Sequence, residues 1–315
     1  MTTRAFVFPG QGSQQVGMGK ELAEAFPVAR RVIEEVDDAL GQNLGKLMFE
    51  GPEADLTLTE NAQPALMAVS MAVISVLEKE GGLNLSNEAR FVAGHSLGEY
   101  SALCAAGAIS LPDTAKLLKL RGQAMQKAVP VGLGGMAALL GLDFEQARAV
   151  AEEAMQGQVC TAANDNAPGQ VVVSGHAEAI DRAIALAGAK GAKKSVKLPV
   201  SAPFHCPLMQ PAAEAMKKAL ETTLINIPSV PLVANVTATA TSDVETIRRQ
   251  LVEQVCGTVR WRESVLYMKA EGVAELVECG AGKVLAGLAK RIDRDVAAQS
   301  LGTPADIEAF LKARG

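Results

Sequence analysis

Four apolar residues, Ala5, Phe6, Val7 and Phe8, form an unbroken run near the start of the chain, and Pro9, Gly10, Gln11, Gly12 and Ser13 end it. A short apolar run closed by turn residues reads as a buried strand that delivers a loop. Apolar positions then recur at helical spacing over roughly 20–40, 61–80, 98–107 and 112–128. A second short apolar run, Phe91, Val92 and Ala93, precedes the third of these segments. Strands alternating with helices predict an α/β fold with a mainly parallel sheet covered on both faces.

The middle of the chain has a different rhythm. Met136–Leu142 reads as a strand, Phe144–Met155 as a helix, and Val159–Ala163 and Gln170–Ser174 as strands; Ala177–Ala189 reads as a helix and Lys193–Leu198 as a strand. This is βαββαβ, the ferredoxin-like plan. Gly-rich Val131–Gly135 and Pro-bounded Pro199–Pro203 flank it. Residues 131–200 are therefore expected to form a subdomain inserted into a core made of 1–130 and 201–315. Beyond it, Pro207–Thr222, Val244–Cys256 and Trp261–Ala270 read as helices, Pro231–Asn235 and Val273–Val277 as strands. Gly280, Ala281, Gly282 and Lys283 open a further helix, and Ala305–Arg314 reads as a terminal one.

Composition narrows the chemistry. Of 315 residues, 49% are hydrophobic but only 3% aromatic, so the core must rest on Ala, Val, Leu and Met. A formal net charge of -5 offers no general attraction to nucleic acid or an anionic membrane. The five cysteines, Cys104, Cys160, Cys206, Cys256 and Cys279, are odd in number and dispersed, which argues against a disulfide framework or a zinc site and fits a reducing cytoplasm. No basic-then-apolar leader opens the chain, and the stretch Ala65–Leu77, interrupted by Ser70 and Ser75, is too short to span a bilayer.

After Phe91–Ala93 comes Gly94, His95, Ser96, Leu97, Gly98, Glu99, Tyr100. Its GxSxG form is that of a nucleophile elbow, a sharp strand-to-helix turn that lifts a serine hydroxyl clear of the sheet. Ser96 is then a nucleophile; the competing reading is a helix cap. A serine needs a base, and the chain has three histidines. His95, adjacent to Ser96, should point away from it, and His176 starts a helix in the inserted subdomain. His205, in the Pro-stiffened loop Ser201–Cys206 that returns to the core, is left as the base, against the reading of a surface-loop histidine. An oxyanion needs fixed donors. The Leu97 N–H supplies one by elbow geometry. The Gln11 loop qualifies for the second, because a parallel sheet delivers its strands' C-terminal ends to one edge. Gly10 and Gly12 lack the rest of a GxGxxG dinucleotide fingerprint.

FPGQGSQ at 8–14, ENAQPAL at 60–66, GHSLGEY at 94–100, Arg121–Gly122, NDNAPGQVVVSG at 164–175, APFHCPLM at 202–209 and GAGKVLAGLAKRI at 280–292 follow in order. With them the chain resembles the malonyl-CoA:acyl carrier protein transacylases of type II fatty acid synthesis along essentially its whole length. The resemblance implies an α/β-hydrolase-like core with a ferredoxin-like insertion. It implies Ser96 as acyl-carrying nucleophile, His205 as general base and acid, and the Gln11 and Leu97 amides as oxyanion hole. It further implies Arg121 as the clamp on the malonyl carboxylate, although Lys116 and Lys119 nearby would suit a solvated helix face. Gln63 is implied as an active-site glutamine, Asn164 as a polar residue near the site, the Gln254 backbone carbonyl as the group that orients the histidine, and Phe204 as the residue that crowds a branched acyl group. The expected partners are malonyl-CoA and an acidic acyl carrier protein, for which Lys190, Lys193, Lys194 and Lys197 or Lys290, Arg291 and Arg294 offer a basic docking surface; the competing and more common reading of such runs is a solvated face. Neither metal nor redox cofactor is expected, and the protein is expected to be a monomer without nucleic-acid or membrane partners. Two rivals share the motifs: a serine esterase or thioesterase, and a catalytically silent carrier-docking module.

Overall fold

The computed structural model describes residues 3–200 and 202–314; Met1, Thr2, Ser201 and Gly315 lie outside the described residues, so Ser201, the expected first residue of the returning core segment, is not placed. The strands are β1 (Arg4–Phe8), β2 (Ala89–Gly94), β3 (Gly134–Leu140), β4 (Cys160–Ala167), β5 (Gln170–His176), β6 (Lys194–Lys197), β7 (Leu232–Val233), β8 (Ala240–Thr241), β9 (Glu275–Cys279) and β10 (Ala297–Leu301). Six of them form one sheet in the order β10-β9-β1-β2-β7-β8. β1 pairs in parallel with both β2 and β9, and only the edge strand β8 runs antiparallel. Central β1 explains its own sequence: Phe6 and Phe8 enter the apolar layer on one face and Ala5 and Val7 the layer on the other. Both faces are covered, so the run has no polar position to show.

The helix Thr59–Gly81 fills one of these layers. It is long and apolar enough to cross a bilayer by composition, unlike the shorter stretch read from sequence, yet it is buried inside the protein. Helix Leu111–Ala128 crosses it at Gly122, where an added Cβ would lie 2.4 Å from Glu60 Cα. Contact that close sets the preceding residue, Arg121, beside Gln63.

The strands between 134 and 197 form a separate antiparallel sheet, β4-β5-β3-β6, the ferredoxin-like order. Helices Phe144–Met155 and Ala177–Ala189 cover one face with a layer of small apolar residues. Met136 and Val172 on the opposite face join the large core. The seam is pinned where Asp165 N–H donates to Val259 O at 2.9 Å, Val259 N–H to Ala163 O at 2.9 Å, and Arg262 grips the buried Asp165 carboxylate through Nε at 3.0 and 2.9 Å.

Some elements differ from the periodicity. The single helix read over 20–40 is two, Lys20–Ala25 and Pro27–Leu40, because Pro27 takes the first helical position and holds Phe26 extended. Pro207–Met209 is a 3-10 turn before the helix Gln210–Thr222. Gly280 and Gly282, with φ of 139° and 81°, keep residues 280–283 as a loop, so the helix begins at Val284. Strand β10, with half-buried Ala298, Gln299 and Ser300 at an edge, carries no apolar pattern and was not expected; nor were the short helices Leu44–Glu50 and Glu53–Thr57. The five cysteines are free.

Candidate active site

Strand β2 ends at Gly94 and helix Gly98–Ala105 begins four residues later. A Cβ on Gly94 would lie 1.9 Å from the Gly98 carbonyl carbon, and one on Gly98 would lie 2.2 Å from Phe8 O. Only glycine permits both approaches. Between them Ser96 adopts φ 54°, a left-handed conformation costing a non-glycine residue about 1–2 kcal/mol. Asn235 holds it there: Ser96 N–H donates to Asn235 Oδ1 at 2.8 Å, while Asn235 Nδ2 donates to Gly94 O at 2.7 Å. The strained turn of an elbow is present, and the cap reading fails because the Ser96 side chain bonds elsewhere.

Its hydroxyl lies 2.8 Å from Nε2 of His205, which is buried and at φ 59°. His205 Nδ1 is 2.9 Å from Gln254 O. A carbonyl can only accept, so Nδ1 carries the proton and Nε2 offers its lone pair to the Ser96 hydroxyl. Burial, and then the Arg121 charge, push the imidazole down to about 3. It is therefore neutral and base-competent at physiological pH. The other histidines are engaged apart from the serine: His95 Nε2 pairs with Asn166 Oδ1 at 2.8 Å, and His176 Nδ1 accepts from Val159 N–H at 2.9 Å.

Arg121 is only 1% exposed, not a member of a solvated face. Its Nη1 donates to Gln63 Oε1 at 2.7 Å; its Nη2 donates to Gln254 Oε1 at 2.7 Å and to Ser96 Oγ at 3.1 Å. Neighbouring Lys119 is drawn to Glu60 at 3.0 Å and to the side-chain oxygens of Gln42 and Asn61 at 2.9 Å each. Gln63 Nε2 donates to Thr59 Oγ1 at 2.9 Å, and Thr59 Oγ1 donates to Gln11 Oε1 at 2.9 Å, so one polar chain links Arg121 to the first loop. Among the described residues, neither the Gln11 nor the Leu97 backbone N–H has a protein acceptor. Both residues line the same cavity of about 540 Å³ as Ser96 and Arg121. Met125, Met136, Leu198 and Phe204 give it an apolar wall, and Asn164, 7% exposed, borders it from the inserted sheet.

The nine residues expected at the site thus converge. Beneath them lie groups the sequence reading did not single out. Gln254 serves with its side chain as well as its carbonyl: Nε2 donates to Ser96 O at 2.8 Å and to Glu99 Oε2 at 3.0 Å. Glu99, fully buried, also accepts from Asn235 N–H at 3.0 Å, and desolvation raises its carboxyl to about 7. Glu99 stands inside the GHSLGEY heptapeptide and Asn166 inside the 164–175 segment, whereas no local pattern marks Asn235 or Thr59. Among the described residues, no group of His, Cys, Asp and Glu is placed to hold a metal ion. Of the basic runs, Lys190 pairs with Glu153 and Lys197 with Asp181, while Lys193, Lys194, Lys290 and Arg294 are exposed.

Known proteins resemble this chain over nearly its whole length. The model of the acyl transferase domain family matches residues 5–297. The malonyl CoA-acyl carrier protein transacylase of Escherichia coli K12 is 46% identical over 312 residues, 99% of this chain and 100% of that protein. Its counterpart in Bacillus subtilis strain 168 is 45% identical over 98% of this chain and 96% of its own. Among solved structures, the acyl-carrier-protein S-malonyltransferase of Bartonella henselae superposes with a TM-score of 0.97 at 57% identity, covering 99% of both chains. A malonyl-transacylase solved in complex with a type II PKS acyl-carrier protein superposes at 0.96 with 43% identity, over 99% of this chain and all of that one. With its elbow, its histidine and its buried arginine in one cavity, and with likeness at this level from end to end, the chain belongs to the acyl transferase family, among the malonyl-CoA:acyl carrier protein transacylases.

Proposed function

We propose that the protein moves the malonyl group of malonyl-CoA to the phosphopantetheine thiol of an acyl carrier protein through a malonyl-Ser96 intermediate, supplying chain-extender units for fatty acid synthesis. One observation carries the reading: Ser96 Oγ is held between a neutral base, His205 Nε2 at 2.8 Å, and a buried cation, Arg121 Nη2 at 3.1 Å. A base activates the serine for acyl transfer of any kind; a buried guanidinium within reach of the acyl position selects a carboxylate.

In the first half, His205 Nε2 takes the Ser96 proton as Oγ attacks the thioester carbonyl, and the Gln11 and Leu97 amides receive the oxyanion. Collapse breaks the C–S bond, and the imidazolium returns the proton to the departing CoA sulfur. In the second half, the carrier thiol gives its proton to His205 and attacks the acyl-serine, and Ser96 leaves with the proton. One site serves both thiols, so ping-pong kinetics follow. The malonyl carboxylate pairs with Arg121 throughout, and Phe204 crowds a branch at the carbon between the two carbonyls. Exposed Lys193, Lys194, Lys290 and Arg294 are the cations available to an acidic carrier. Thioester exchange calls for neither an electron sink nor a Lewis acid, and we place the enzyme in the cytoplasm as a monomer.

The test is intact-mass analysis after mixing with malonyl-CoA, first without and then with holo carrier protein. Malonyl on Ser96 that passes to the carrier supports transfer. Free malonate released promptly in both mixtures indicates a hydrolase, and undiminished transfer by Ser96→Ala removes the serine mechanism.

A further inference from the structure

Gln254 has two chemically distinct ends, and the clamp depends on which faces Arg121. In the observed orientation Oε1 accepts from Nη2 at 2.7 Å, while Nε2 donates to Ser96 O at 2.8 Å and Glu99 Oε2 at 3.0 Å. Turned over, the amide would set Nε2 against the guanidinium, donor to donor, and Oε1 against two acceptors; all three bonds would be lost. The Glu99 carboxyl is fully buried on the first turn of the elbow helix, fixed in turn by Asn235 N–H at 3.0 Å. Its Oε2 accepts both bonds, and its Oε1 has no partner among the described residues. The carboxyl reaches neither the cavity lining nor Ser96 Oγ.

From this geometry we propose that Glu99 is a positioning residue for carboxylate selection: by holding the Gln254 amide in one orientation it fixes the Arg121 guanidinium beside Ser96. The inference rests on the transacylase reading and adds a residue to it. It separates selectivity from chemistry, because the His205 anchor is the Gln254 backbone carbonyl, built into helix Val244–Cys256 and indifferent to how the side chain turns. A carboxamide at position 99 keeps the function: its oxygen can accept both bonds where Oε2 stands, with its NH2 at the unpartnered position.

The experiment compares kcat/KM for malonyl-CoA and acetyl-CoA in the wild type, Glu99→Ala, Glu99→Gln, Gln254→Ala and the double variant E99A/Q254A. Glu99→Ala is expected to lower the malonyl-to-acetyl ratio about tenfold or more, equivalent to ~1.4 kcal/mol of lost discrimination. Glu99→Gln should restore most of that ratio, and E99A added to Q254A should move it no further. Equal loss on both substrates, failure of Glu99→Gln to rescue, or independent effects in the double variant would each overturn the proposal. Glu99→Gln also serves where Glu99→Ala does not fold. Calorimetric binding of malonyl-CoA and acetyl-CoA to Ser96→Ala, with and without Glu99→Ala, reads the same selectivity without turnover. A wild-type protein that transfers nothing would end the transacylase reading, while the binding arm would still decide the role of Glu99.

Discussion

Replacing Arg121 with alanine removes the one arginine or lysine that, among the described residues, lines the cavity and could meet a substrate carboxylate with matching charge. The guanidinium is 1% exposed, so a carboxylate bound there is desolvated and has little water to fall back on. Charge-assisted hydrogen bonds contribute about 1.5–3 kcal/mol each, so losing a two-bond clamp costs about 3–6 kcal/mol. At ~1.4 kcal/mol per decade, kcat/KM for malonyl-CoA should fall roughly 10²- to 10⁴-fold. Acetyl-CoA has no second carboxylate and loses only whatever it gains from the Arg121 contact to Ser96, so its fall should stay within about tenfold. Arg121→Lys keeps the charge but not the fork, since one ammonium cannot reproduce the two 2.7 Å bonds to Gln63 and Gln254; it should fall between the two. The assay is transfer of each acyl group from CoA to holo carrier protein, with thermal melts run alongside because Gln63 Oε1 and Gln254 Oε1 lose a donor. An alanine variant that still prefers malonyl-CoA to within threefold of wild type would show that the selecting cation lies elsewhere.

Protonation behaves in two opposite ways here. His205, pushed down to about 3, should keep Ser96 malonylation free of an acid limb in the ordinary histidine range; stopped-flow acylation falling with a midpoint near ~6.5 would contradict it. A depressed histidine contributes stability above its unfolded value, and loses it as pH falls from ~6.5 toward about 3. Glu99, raised to about 7, contributes below ~4.5 and loses that contribution as pH rises through about 7. Glu99→Gln should therefore gain stability over the wild type as pH climbs from 5 to 8, by ~3 kcal/mol at most, read from melts in matched buffers; a constant difference would refute the shift. Gly98→Ala forces a Cβ to 2.2 Å from Phe8 O, so urea titration should show a loss of about 1–3 kcal/mol together with loss of acyl loading. Phe204→Ala should raise the methylmalonyl-to-malonyl ratio of kcat/KM about tenfold, and no change would remove Phe204 from the selecting wall.

What could be read in the chain follows from how local each determinant is. Ser96 and its glycines lie within one heptapeptide whose spacing is itself the turn, and the two-faced burial of β1 is written into its unbroken apolar run. Arg121 is different. Its neighbours Lys116 and Lys119 give its helix a solvated look, and only the close crossing at Gly122 turns it toward Gln63. Family resemblance, not periodicity, pointed to it. Gln254 was expected for its carbonyl alone, because a side chain's partners arrive from Ser96, Glu99 and Arg121, remote in sequence. Strand β10 escaped for the reverse reason: an edge strand with half-buried polar residues leaves no alternation to detect.

The two elbow glycines face different neighbours, Gly94 the elbow helix itself and Gly98 the end of β1 at Phe8 and Pro9. His95 N–H adds a 3.0 Å bond to Phe8 O, and the loop carrying Gln11 begins directly after that contact. The proposed nucleophile and first oxyanion donor are thereby mounted on one gauge block, set by backbone rather than by side chains. The residues proposed to choose the acyl group stand on other mounts: Arg121 and Gln63 on two crossing helices and Phe204 on the returning loop, with Met136 and Leu198 lining the cavity from the segment between 134 and 200. A scaffold divided in this way can exchange one acyl group for another while its cutting edge stays in register, which makes acyl scope the property most open to redesign.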